Sequence, residues 1–156
     1  MSDPINCVDL FGLDFWVYNY LEAGRGYGHI GIIMPNDDGT YTRYSQGADD
    51  PDAPWYELIM PLHDAVVNIR KMSSPCMAGA KMVKIQTKYN DQVQKAIQDY
   101  IEADWPYNAI TNNCADFVND VANAAEDINL SDKTIPNQYF DQLLKQYGPY
   151  KCKLKN

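Results

Sequence analysis

Positive charge is scarce in this sequence. The chain has 13 lysine and arginine residues against 21 aspartate and glutamate residues, which gives a formal net charge of -8 and a pI near 4.5. The lysines that do cluster, in the C-terminal KCKLKN, are typical of a solvated tail. Because nucleic-acid binding depends on lysine and arginine contacts to phosphates, nucleic acid is not an expected partner.

The sequence also lacks a long apolar run and a secretory leader. No stretch of about 18 consecutive apolar residues occurs, so we expect no transmembrane segment. The N-terminus has no basic region followed by an apolar one, so we do not expect export by a signal peptide. Any export would have to be arranged by another apparatus.

The four cysteines follow no metal-binding or redox pattern. Cys7, Cys76, Cys114 and Cys152 show no C-x-x-C spacing and lie in different local contexts. We therefore expect individual thiols, no metal site and no cofactor, while a disulfide between two of them stays open. Cys76, in a loop-like stretch, and Cys152, in the tail, are not expected to take part in catalysis.

The 156 residues, 46% of them hydrophobic, suffice for one domain with a single buried core. Strand-like segments come first and helical periodicity last, which predicts an α+β fold with an antiparallel sheet packed against helices. Segment 62–72 fits either a strand or a helix, and segment 48–61, rich in proline and aspartate, indicates a surface loop. The predicted strands are FWVYNYL (15–21), HIGIIM (29–34), YTRYSQ (41–46) and MVKIQT (82–87).

Three helices are predicted in the second half of the chain. Asn90 is a suitable N-cap for the first of them. In NNCADFVNDVANAAED the apolar residues repeat at i, i+3, i+4 and i+7, and Asn113 is placed to cap the first turn, with Cys114 at the first helical position. The last helix, PNQYFDQLLKQYG, is predicted to start at Pro136 and to stop at Gly148.

Cys114 is the candidate nucleophile. A thiol at a helix N-terminus faces unsatisfied N–H groups and the positive end of the helix dipole, which favours the thiolate near neutral pH. The same start of a helix can stabilise an oxyanion, because the backbone N–H of Cys114 lies near the oxygen of a tetrahedral intermediate. Asn113 and Cys114 together therefore predict nucleophile activation and charge stabilisation at one place.

A cysteine nucleophile needs a base, and the chain has two histidines. His29 opens a strand after a glycine-rich break, whereas His63 has no comparable setting, so His29 is the candidate base. The group that orients the imidazole is expected on the paired strand, where Ser45 and Gln46 project to opposite faces and parity does not choose between them. In the alternative interpretation, Cys114 and His29 are structural residues of the core.

The segments GHIGIIM, YTRYSQG and PYNAITNNCADFV resemble the circularly permuted branch of the NlpC-type papain-like cysteine peptidases, which includes the lecithin:retinol acyltransferase relatives. In this branch the histidine strand precedes the cysteine helix, whereas papain has the cysteine first. The resemblance implies a permuted papain-like fold with Cys114 as nucleophile and His29 as base. Many members carry a histidine or an acid at the third position, where this chain offers Ser45 or Gln46.

The opening stretch DPINCVDLFGL resembles the end of the shell of Rhs (YD-repeat) polymorphic toxins, with Leu10 where proline is usual. Such shells release a variable C-terminal toxin by cleavage close to this segment. The resemblance implies a junction at Leu13 and Asp14, so that residues 1–13 are a remnant of the parent shell and residues 14–156 are the toxin domain. It also implies delivery by type VI secretion into the periplasm or cytoplasm of a target cell, and a cognate immunity protein as partner.

These resemblances together lead us to expect a secreted antibacterial toxin that hydrolyses an amide bond. Peptidoglycan peptides are the commonest target among the NlpC-type relatives. One alternative keeps the Cys-His site but makes the chain a deamidase, transglutaminase, protease or acyltransferase that acts on a cytosolic protein or lipid. A second alternative is a non-enzymatic interaction module, for which loss of the Cys114 thiol would leave toxicity unchanged.

Overall fold

The fold is built on one five-stranded sheet. A computed structural model describes residues 13–126, 130 and 135–153, and residues 1–12 lie outside them. The sheet has the order β4-β3-β2-β1-β5, and every neighbouring pair is antiparallel. This confirms the predicted α+β class with an antiparallel sheet. The strands are β1 (Leu13–Tyr20), β2 (His29–Pro35), β3 (Tyr41–Ala48), β4 (Ala65–Met72) and β5 (Lys81–Thr87).

Four α-helices and a short 3-10 helix (Gly24–Gly26) accompany this sheet in the described residues. The three predicted ones are confirmed, although Tyr89 rather than Asn90 occupies the cap position of the first. Segment 62–72, which fitted a strand or a helix, forms β4, and the predicted surface loop contains a single helical turn. Within the described ranges every helix is too short or too polar to cross a bilayer. The helices are α1 (Trp55–Leu58), α2 (Asn90–Glu102), α3 (Cys114–Glu126) and α4 (Pro136–Tyr147).

One face of the sheet packs against α2, α3 and α4. Alternate residues of the central strands, among them Val17, Ile30 and Ile32, form a buried cluster with Phe117 and Val121 of α3. The apolar residues of α3 recur at helical spacing, so the helix turns a continuous apolar stripe to the sheet. This packing fixes the start of α3, and therefore Cys114, against the centre of the sheet.

The other face of the sheet is covered by chain without regular secondary structure. Trp16, Tyr18 and Ile33 pack there against Met77 and the segment that leads to Cys152. A disulfide joins Cys76 to Cys152 across a sequence separation of 76 residues. The expectation of individual thiols is therefore wrong for these two cysteines. Nothing in their local sequence signals the bond, because the tail and the loop meet only through the folding of the sheet between them.

The ladder between β2 and β3 opens at the end of the sheet near residue 30. Pairing of β2 with β3 runs from Pro35 to Ile32 and stops there, while β3 continues to Ala48 against β4. The phenol of Tyr18 lies over Gly31, where any added Cβ would collide with it. The opening leaves the start of β2 accessible to groups from both faces of the sheet.

Candidate functional site

Reciprocal hydrogen bonds hold Cys114 at the first position of α3. The Ala115 N–H donates to Oδ1 of Asn113 at 2.8 Å, and the Asn113 N–H donates to Oδ2 of Asp116 at 2.9 Å. This is the capping-box arrangement, which satisfies free N–H groups of the first turn. Nδ2 of Asn113 donates to the carbonyl of Ala109 at 2.9 Å, so the cap residue also ties down the preceding loop.

The sulfur of Cys114 is buried, with 4% of the residue exposed, and it is the one free thiol in the described ranges. Burial raises the pKa of the thiol to about 11, although the backbone N–H groups of Ile30, Cys114 and Ala115 face the sulfur and lower it. The nearby Asp116 carboxylate raises it further. The expectation that the helix start gives a low thiol pKa is therefore wrong for this structure, because desolvation outweighs the N–H groups.

Cys114 lines a cavity of about 500 Å3 at the open end of the sheet. Its walls come from distant parts of the chain: the glycine-rich loop before β2, the segment that contains α1, the loop before α3, and the start of α4. Tyr27 and Trp55 stack across it with ring centroids 5.7 Å apart. Such a concave site with an apolar lining and a few polar groups is typical of small-molecule or peptide recognition.

His29 lines the same cavity as Cys114. Its strand partner is Tyr20, and strand alternation places His29 with Tyr18 on the face away from α3. The sulfur faces the N–H of Ile30 in the opening between β2 and β3, so the two groups lie at one end of the sheet. Both are described residues, and no hydrogen bond joins them. Burial and then the charge of Arg43 lower the pKa of His29.

The two candidates for the third group lie in different surroundings. Ser45 shares a sheet face with His29, but its hydroxyl interacts with the phenol of Tyr18. Burial raises the pKa of Tyr18 to about 12, and the Ser45 hydroxyl and then the Arg43 charge oppose this rise. Gln46 is buried on the helix side, where its Nε2 donates to Oδ1 of Asn112 at 3.3 Å. In the described residues neither of them contacts the imidazole of His29 through a hydrogen bond.

His63 lies between two carboxylates outside the cavity. Its Nδ1 is 2.9 Å from Oδ1 of Asp49, and its Nε2 is 2.8 Å from Oε2 of Glu57. Hydrogen bonds to Glu57 and then Asp49 raise the pKa of His63. Both carboxylates belong to the segment that contains α1, so His63 links two parts of that segment. It does not line the cavity.

Two features of the site carry no signal in the sequence. Tyr107 lines the cavity, and burial followed by the nearby Cys114 raises the pKa of its phenol. Asn137, in the first turn of α4, holds the glycine-rich wall: its Nδ2 donates to the carbonyl of Gly26 at 3.0 Å, and its N–H to that of Tyr27 at 3.0 Å. Only the assembled fold brings Tyr107 near Cys114 and Asn137 against the glycine-rich wall of the cavity.

The expected junction lies at the start of the sheet. Leu13 is the first residue of β1, and Asp14 follows it in register with Gln86 of β5. Oδ2 of Asp14 forms an ion pair with Nζ of Lys84 at 3.2 Å. Residues 1–12 of the expected remnant, with Cys7, lie outside the described residues.

The donor set of the described residues offers no metal site, since no three His, Cys, Asp or Glu side chains come together there. We compared the chain with models of protein families, with curated proteins and with solved structures, and none of these comparisons gave a match.

Proposed function

We propose that the chain carries the toxin domain of an Rhs polymorphic toxin, with a permuted papain-like NlpC-type fold, and that it hydrolyses an amide bond of peptidoglycan peptides. The observation that carries this proposal is the shared cavity: the free thiol of Cys114 and the imidazole of His29 come from distant parts of the chain and line one space. Capping by Asn113 adds a fixed helix start at the thiol.

In the proposed reaction, His29 removes the thiol proton as the sulfur of Cys114 attacks the carbonyl carbon of the amide. The oxyanion is stabilised by backbone N–H groups at the start of α3. His29 then returns the proton to the leaving amine, which leaves a thioester that water hydrolyses with His29 as base. Because the thiol pKa is about 11 and that of His29 is lowered, both groups are neutral in the free protein, and proton transfer accompanies attack.

The disulfide supports a substrate outside the cytoplasm. Disulfides form and persist in oxidising compartments such as the bacterial periplasm and are rare in the cytosol. The Cys76–Cys152 bond joins two segments that pack on the sheet face away from α3. The oxidised protein is therefore expected to persist in the periplasm, where peptidoglycan lies.

An acyl substrate is a second candidate, because large apolar side chains surround the cavity. Tyr27 and Ile110 line it and are 47% and 46% exposed, and Trp55 and Leu58 of α1 also line it. Exposed apolar groups at the rim of a cavity favour an apolar ligand or partner. The same Cys-His site would then transfer or hydrolyse an acyl group of a lipid in the target cell.

Growth of a bacterial host tests the proposal. The chain is expressed in the cytoplasm or directed to the periplasm, each beside its Cys114→Ala and Cys114→Ser variants. Killing from the periplasm alone, abolished by both substitutions, supports a peptidoglycan substrate, and digested cell wall then shows the cleaved bond. Killing from the cytoplasm that depends equally on Cys114 moves the search to an intracellular amide or acyl substrate.

The control addresses folding and the non-enzymatic alternative. Circular dichroism of each purified variant establishes that the fold survives the loss of a buried thiol. If folded Cys114→Ala kills as well as the parent chain, the hydrolase proposal is wrong and an interaction module takes its place.

A further inference from the structure

A second cleft, of about 400 Å3, lies on the sheet face away from α3. It is formed by the ends of β1, β3 and β4 and by the loop after β4. Among the described residues no aspartate or glutamate lines it, although the chain carries 21 of them. Its polar lining consists of Tyr20, Arg43, Arg70, Lys71, Ser73 and Ser74.

Two arginines stand directly opposite each other in this cleft. Arg43 of β3 and Arg70 of β4 are register partners, and like charges at directly opposed positions destabilise a sheet. Lys71 is neutralised by Asp38, with Nζ and Oδ2 3.0 Å apart. Within residues 13–126 and 135–153 neither arginine has such an ion pair.

Of the two arginines, Arg43 has the larger desolvation free energy, because it is half-buried while Arg70 is exposed. Taking a charge out of water without a partner is unfavourable. The charge also acts on its neighbours. After burial, it lowers the pKa of His29, and after the Ser45 hydroxyl it opposes the rise that burial causes in the pKa of Tyr18. A bound anion would offset the repulsion between the two arginines and would give Arg43 an ion-pair partner.

We propose that this cleft binds the phosphoryl group of a phosphorylated ligand, held by the guanidinium groups of Arg43 and Arg70 and by the hydroxyls of Ser73 and Ser74. Arginine forks match phosphate oxygens in pairs, and charge-assisted bonds of this kind are short and strong. Oγ of Ser74 accepts the Cys76 N–H at 3.2 Å, which leaves its hydroxyl hydrogen for the ligand. The proposal is independent of the chemistry at Cys114.

The disulfide holds one wall of this cleft in place. Cys76 lines it and is bonded to Cys152 of the C-terminal segment, so the loop that carries Ser73 and Ser74 is fixed at its far end. The site is therefore complete in the oxidised protein.

Calorimetric titration of the oxidised full chain with inorganic phosphate, glycerol 2-phosphate and acetate tests the site. We expect saturable binding of phosphate or of the ester and weaker binding of acetate. Tighter binding of the ester identifies an esterified ligand, and tighter binding of inorganic phosphate identifies the free ion; both agree with the proposal. Equal binding of acetate and phosphate, or no saturation by either phosphate compound, overturns it.

Charge-matched variants assign the binding to the cleft. Arg70→Gln, at an exposed position, should weaken phosphate binding about tenfold, as expected for a lost charge-assisted hydrogen bond. Lys95→Gln removes the same charge from α2, where Lys95 pairs with Asp99, and should change affinity less than twofold. Equal effects of the two substitutions would show that only net charge matters and would overturn the site. Arg43→Gln is informative where circular dichroism shows that it folds.

Discussion

The backbone N–H of Ile30 faces the sulfur of Cys114 in the opening where β3 separates from β2. The thiol thus lies at the edge of a central strand and at the start of a helix. A substrate carbonyl that enters the cavity would meet N–H groups from both elements. The enclosure that creates this geometry also raises the thiol pKa, and in the proposed reaction attack by the sulfur is therefore coupled to proton transfer.

Alkylation of Cys114 should be slow at neutral pH and should accelerate as pH rises towards about 11. The thiolate is the reactive form, and burial disfavours it more than the three N–H groups favour it. Iodoacetamide labelling at several pH values, read by peptide mapping, separates Cys114 from Cys7. A rate that already reaches its plateau below pH 8 would contradict the raised pKa.

Asp116→Asn should shift the Cys114 alkylation profile to lower pH. The Asp116 carboxylate raises the thiol pKa, and asparagine keeps the shape of the side chain while it removes the charge. Asp120→Asn, one turn further along α3, is the control, because Asp120 interacts with the Tyr100 hydroxyl instead. Identical profiles for Asp116→Asn and the parent chain would exclude this electrostatic effect.

Much of the scaffold could be predicted because its signals are local. The apolar spacing of α3 and the N-cap Asn113 define a helix without tertiary information, and so do Pro136 and Gly148 at the ends of α4. Segment 62–72 was ambiguous because most of β4 is exposed and its sequence does not alternate cleanly. Its assignment as a strand depends on pairing with β3.

The parts of the site that could not be predicted depend on sheet order and burial. Strand parity separates Ser45 from Gln46, but only the packed sheet shows that Gln46 faces the helices and Ser45 lies with Tyr18. The thiol pKa depends on whether desolvation or the backbone N–H groups have the larger effect, and sequence spacing does not show how deeply the thiol is buried. The Cys76–Cys152 bond likewise arises from a meeting of distant segments.

Gly28→Ala should destabilise the protein by more than about 2 kcal/mol. Gly28 has φ 96°, and a Cβ there would collide with the side-chain amides of Asn137 and Asn19, which hold the wall of the cavity. Gly24→Ala is a matched control with φ 58° and nothing within 4 Å of its Cβ, so only the backbone term of about 1 kcal/mol applies. Urea unfolding measures both, and equal losses would contradict the clash.

Removal of the disulfide should lower the free energy of unfolding by about 4 kcal/mol, given the long loop that it closes. The Cys76→Ser, Cys152→Ser double variant and the reduced parent chain should unfold at the same urea concentration. Reductant should not affect the double variant. If reductant leaves the parent chain unchanged, the two sulfurs are not joined in solution.

The central claim is that the chain kills through a site made of Cys114 and His29. Its most direct test is the killing rate, beside the parent chain, of four variants: Cys114→Ser, His29→Asn, their combination, and His63→Asn. If Cys114 and His29 act as one unit, each single change should abolish killing and the double variant should be no worse, because effects within a catalytic unit are not additive. His63→Asn should still kill. Killing by a folded Cys114→Ser variant at the parent rate would contradict the account.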